Sequence, residues 1–132
     1  MKDIRLAVDF DGTIVENAYP SIGKEMPFAF DTLKKLQKEG YRLILWTRRS
    51  GSRLDEAVEF CSKHGVEFYA VNKSFPEEVF DKRESPKIEA DMFIDDRNFG
   101  GFPGWGEIYQ SLCEHPVPLK NTKSNFIKSL FR

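Results

Sequence analysis

The stretch Leu6-Ala7-Val8-Asp9-Phe10-Asp11-Gly12-Thr13 organises the reading of this chain. An apolar run ends in two carboxylates spaced i, i+2, followed at once by Gly-Thr. Side chains alternate faces along a strand, so regular strand geometry would set Asp9 and Asp11 on one side. Like charges held that close repel, and each is costly to desolvate without a partner. Such a pair at the carboxyl edge of a sheet points to a bound cation. Gly12 lets the backbone turn away and approach a ligand closely. A lone Asp-x-Asp is more often a solvated acidic turn, so the weight falls on the remaining chain.

The chain has 132 residues, near the modal size of one domain and long enough for a core. Hydrophobic residues make up 40% and charged residues 31%, the composition of a soluble globular protein. A net charge of −1 leaves no electrostatic footprint for nucleic acid or an anionic membrane. Lys120, Lys123, Lys128 and Arg132 read as a solvated basic end. No apolar run approaches a membrane span, and Lys2, Asp3 and Arg5 interrupt any leader. Cys61 and Cys113 each fall in an amphipathic helical pattern and read as reduced, mostly buried thiols. A cytoplasmic setting is expected.

Residues 4–10 read as a central parallel strand, apolar nearly throughout. Residues 14–26, punctuated by Pro20 and Gly23, read as irregular chain or a small hairpin. Pro27 suits the first turn of a helix over about 27–39, with Ala29, Leu33 and Leu36 at helical spacing and Gly40 as its stop. Residues 41–46 form a second strand closed by Thr47. A helix follows, with Ser52 and Asp55 as a capping pair and Leu54, Ala57, Val58 and Cys61 on its buried face. After Gly65, residues 66–71 read as a third strand and 72–90 as a polar loop with one helical turn. Met92-Phe93-Ile94 is a fourth strand running into Asp95-Asp96. Gly100 to Gly104 turn the chain into a helix carrying Trp105, Ile108, Tyr109 and Leu112, and residues 116–132 form a tail without a definite reading. Strands alternating with helices predict one α/β domain over 1–132: a three-layer α/β/α, Rossmann-like parallel sheet. Ligands of such sheets bind beyond the carboxyl ends of the strands.

Asp9, Asp11, Thr47, Asp95 and Asp96 all fall at such ends, and Lys87 lies in the loop entering the fourth strand. Oxygen donors from two strand ends suit a hard divalent ion. Magnesium fits best, since it takes one or two carboxylates and keeps water and phosphate oxygens for the rest. His64 and His115, each near a helix end, read as surface or dipole residues, and no Cys/His cluster exists for zinc. A hydroxyl at Thr47, followed by amides entering a helix, can hold a phosphate oxygen. Lys87 folded inward would neutralise carboxylate and phosphoryl charge.

These residues carry a resemblance. Asp9-Phe10-Asp11-Gly12-Thr13 resembles the first motif of the haloacid dehalogenase (HAD) superfamily, an apolar strand followed by Asp-x-Asp-x-Thr. Thr47 after Leu43-Ile44-Leu45-Trp46 is similar to its second motif, Lys87 stands where the third-motif lysine would, and Phe93-Ile94-Asp95-Asp96 resembles the paired-acid fourth motif. The match spans about residues 4–97. It implies a magnesium-dependent phosphatase with Asp9 as nucleophile and Asp11 as proton donor and acceptor. Thr47 and Lys87 would hold the phosphoryl group, and Asp9, the Asp11 carbonyl and Asp95/Asp96 would bind the metal, with Asp96 favoured as the direct ligand.

Larger members insert caps between the first two motifs or between the second and third; here core elements nearly fill both gaps. A capless site implies a large or macromolecular phosphoester, or a lid supplied by a second subunit of a homo-oligomer, with residues 14–26 as partial cover. Arg48 and Arg49, directly after Thr47, are candidates for a second anionic group of the substrate, as arginine suits bidentate contacts; against this stands a reading of both as surface arginines at a helix entrance, weighed evenly for Arg48. Phe99, Phe102 and Trp105 could wall a pocket, though aromatics beside glycines more often pack. Three other readings compete. A receiver-type signalling domain would need an acid near Asn72, where there is none. A phosphate-binding module with little turnover and a phosphotransferase to an acceptor other than water are the others.

Overall fold

The computed structural model describes residues 3–79 and 88–113. Strand β1 (Arg5–Val8) lies between two parallel neighbours, β2 (Arg42–Leu45) and β4 (Met92–Ile94), and β3 (Ala70–Val71) pairs with the outer edge of β2. The order β3-β2-β1-β4 makes a four-stranded parallel sheet. Leu6, Ala7 and Val8 are all buried, which explains an apolar run where an exposed sheet would alternate. The chain moves outward from β1 through β2 to β3, then returns to the far side of β1 for β4. The carboxyl edge between β1 and β4 is therefore a topological switch point, the place where open α/β sheets bind ligands.

Leu6, Val8, Leu43 and Leu45 meet side chains of all three described helices, α1 (Ala29–Lys38), α2 (Gly51–Lys63) and α3 (Trp105–Leu112), in the larger core cluster. A smaller cluster of Ala7, Ile44, Ala70 and Ile88 covers the other face. This is a small α/β domain consistent with a Rossmann-like layering. No helix among the described residues is long and apolar enough to cross a membrane.

Several boundaries differ from the sequence reading. Helix α1 begins at Ala29 because Phe28, at φ 65°, takes a left-handed conformation that keeps Pro27 outside the first turn. Its end is as expected: Gly40, at φ 96°, donates to the Gln37 carbonyl. Helix α2 starts at Gly51 after Ser50, so Ser52 and Asp55 lie within it rather than capping it. The third strand is only Ala70–Val71. Val66 N–H is committed to the Cys61 carbonyl and Glu67 N–H to Gln37 Oε1, so the ladder begins only when Tyr69 N–H reaches Leu43 O. Residues 14–26 do form a narrow arm. Glu16 N–H donates to Lys24 O and Met26 N–H to Ile14 O, each closing one rung. Cys61 and Cys113 are both buried, and no disulfide joins them.

Candidate active site

Beyond Val8 the first strand turns inside out. Asp9 N–H continues the ladder to Ile94 O, and the Phe10 carbonyl then accepts from the amides of Thr13, Ile14 and Val15. Gly12 sits in this turn at φ 86°, and a Cβ there would run into the Asp96 carboxylate. The bare backbone is thus what allows the ends of β1 and β4 to come together. From below, Trp105 Nε1 donates to Thr13 O at 2.7 Å, so α3 props the turn.

Asp9, Asp11, Thr47, Arg48, Asp95 and Asp96 all line one cleft of about 560 Å³ at this edge. Burial pushes the Asp9 carboxyl up to about 6, with the neighbouring Asp96 carboxylate adding to the rise. A hydrogen bond from the Phe10 backbone N–H and one from Thr13 Oγ1, which donates to Asp9 Oδ2 at 3.3 Å, work the other way. Asp95 is turned partly aside: its Oδ1 accepts from Arg97 N–H and its carbonyl from Asn98 Nδ2. Of the acidic pair, Asp96 is the one facing Asp9.

Thr47 is held from both sides, its N–H donating to Asn72 Oδ1 at 2.8 Å and its Oγ1 accepting from Arg49 N–H at 3.2 Å. Asp11 carries a partner that sequence reasoning did not assign. Both its oxygens accept from Arg49, at 2.8 Å from Nε and 2.7 Å from Nη2. Burial of this arginine distinguishes it from Arg48, which is exposed on the cleft wall. Lys87 lies outside the described residues, as do His115 and the tail. Asn17, Tyr19, Trp46 and Arg97 also border the cleft and were not anticipated.

Phe99 is fully exposed, whereas Phe102 and Trp105 pack edge to face; none of the three borders the cleft. His64 follows the end of α2, as expected, but packs rather than standing on the surface: it stacks on Phe30 with Nδ1 at 2.9 Å from the Phe60 carbonyl. Among the described residues no group of three or more His, Cys, Asp or Glu side chains gathers as a metal cage. Asp9 and Asp96 bring two carboxylates together at the cleft, hard oxygen donors that fit a small divalent cation better than zinc.

No family model matches the chain, and no curated protein matches it. A solved structure does: that of a conserved protein from Bacteroides thetaiotaomicron, 59% identical, covering 83% of this chain and 88% of that one, with a TM-score of 0.77. The chain belongs to that conserved protein's family.

Proposed function

We propose that this chain is a HAD-type, magnesium-dependent phosphomonoester hydrolase working through a phosphorylated Asp9. The observation that carries the reading is the meeting of Asp9, Asp11, Thr47 and Asp96 in one cleft at the switch point of a parallel sheet. An Asp9 carboxylate oxygen attacks phosphorus, and the bond from phosphorus to the ester oxygen breaks. Asp11 gives the departing oxygen its proton. Water then attacks the phosphorus, Asp11 takes the water's proton, and the bond to Asp9 breaks to release inorganic phosphate. Thr47 and the amides that follow it hold the non-bridging oxygens, and Lys87 is assigned to offset their charge. The Asp9 carboxylate, the Asp11 carbonyl and Asp96, with Asp95 direct or behind it, would hold magnesium. When bound, the ion offsets the charge gathered on Asp9 and the phosphoryl group.

The described chain between Asp9 and Thr47 is taken up by the arm and α1, and α2 and β3 follow Thr47. With no folded cap in those segments, a bulky or macromolecular phosphoester is the favoured substrate, or one enclosed by a second copy of the chain. The test is phosphate release from 4-nitrophenyl phosphate with magnesium. Slow turnover is expected, abolished by chelation and by Asp9→Asn. Full activity in Asp9→Asn would remove Asp9 as nucleophile, and activity unaffected by chelation would remove the metal.

A further inference from the structure

Arg49 is placed as no surface arginine is. Its side chain is 1% exposed, whereas every other ion pair among the described residues has both partners at 11% or more. Arginine is almost never fully buried unless paired, and taking the charge out of water costs several kcal/mol. The guanidinium recovers that cost with a full set of acceptors. Nε and Nη2 clasp the two oxygens of Asp11; Nη2 also donates to Ser21 O at 2.8 Å, and Nη1 to Pro20 O at 3.2 Å and Arg53 O at 3.4 Å. The rings of Phe10 and Tyr19 lie 5.0 and 5.2 Å from its central carbon. One planar group thus joins the motif turn after β1, the tip of the arm and the first turn of α2. Lysine has neither the fork nor the flat face to do this.

We infer that Arg49 is the positioning residue of the site: it fixes the Asp11 carboxyl in one orientation at the cleft and locks the arm to it. Asp11 keeps 17% of its side chain exposed and lines the cleft, so its second lone pairs still meet a substrate. The Arg49 side chain acts through Asp11 and through the carbonyls of the arm and of Arg53. Its backbone N–H also orients the Thr47 hydroxyl, leaving that hydroxyl's own proton for a phosphoryl oxygen. The inference rests on the hydrolase reading above, because it assigns Arg49 the placing of that reading's proton donor.

The test compares Arg49→Lys and Arg49→Met with the parent and with Asp11→Asn, measuring kcat/KM on 4-nitrophenyl phosphate and on unsubstituted phenyl phosphate. Nitrophenolate departs readily without a proton, whereas phenolate leans on one. The expected result is a loss on phenyl phosphate exceeding that on 4-nitrophenyl phosphate by about tenfold in each Arg49 variant, the same signature as Asp11→Asn. Arg49→Met should then cost little more in the Asp11→Asn background, as coupled residues do. The ratio is read on a single sample, so a partly unfolded fraction cancels, and Arg49→Lys carries the test should Arg49→Met not fold. Equal losses on both substrates, or none, overturn the inference and leave the hydrolase reading intact. A parent protein that releases phosphate from neither substrate removes both.

Discussion

Asp9 and Asp11 stand two residues apart and live in different surroundings. Asp9 is pressed towards Asp96 and hydrogen-bonded by Thr13, while Asp11 is clasped by a guanidinium. The same side chain thus meets a carboxylate at one position and a guanidinium at the other. Asp11→Asn should lower turnover by about 10²–10⁴-fold, the usual worth of a positioned proton donor. Magnesium affinity, measured by calorimetric titration, should change far less, because the proposed contact of Asp11 with the ion is its main-chain carbonyl. A matching collapse in affinity would contradict that division. Both aspartates were legible from the sequence because an apolar strand followed by Asp-x-Asp-Gly leaves few places to put them. Arg49 was not. Arg48 and Arg49 are chemically identical neighbours, and which one turns inward is fixed by the path of the chain after Thr47 and by an arm whose carbonyls come from residues 20 and 21.

Helix α3 is an element whose sequence suggests only an amphipathic segment. Its Trp105 is buried and holds Thr13 O, while Thr32 Oγ1 on α1 donates back to the Trp105 carbonyl at 3.4 Å. Two helices thereby brace the turn that presents Asp9 and Asp11. Trp105→Phe keeps most of the apolar area and deletes the indole donor, leaving a buried carbonyl without it. A loss of about 1–3 kcal/mol in urea unfolding is expected for an acceptor so stranded. A variant as stable as the parent would mean that the turn stands without this brace. Nothing local announces such a bond, which joins residues 92 positions apart. The same holds for the third strand, where Val66 through Phe68 have strand-forming side chains. The Val66 N–H is taken by the end of α2 and the Glu67 N–H by Gln37, so propensity lost to hydrogen-bond partners supplied from elsewhere.

For the molecule as a whole, alternating strands and helices predicted the parallel sheet, and its order put the acidic strand ends side by side. The core that results has consequences for folding chemistry. Burial pushes the Cys61 thiol up from 9.0 to about 12. The unfolded chain therefore releases this proton first as pH rises, so the stability that the neutral, buried thiol contributes is complete below about 9 and is lost on the way to about 12. Cys61→Ala should flatten that alkaline loss in unfolding midpoints measured across the range, whatever it costs at neutral pH. An unchanged slope would assign the loss to other groups. The arm lends the same architecture an asymmetry. At its tip it is pinned to the start of α2 by the buried Arg49, and at its base Glu25 meets His64, on the final turn of that helix, at 3.3 Å and half in solvent. An exposed contact of this kind is worth at most about 1 kcal/mol, so the arm's attachment to α2 rests on the buried Arg49 and the carbonyls it gathers. The base of the arm is built into the core through Ile14 and Val15, both 0% exposed, so the arm is fastened at both ends where Asn17 and Tyr19 border the cleft.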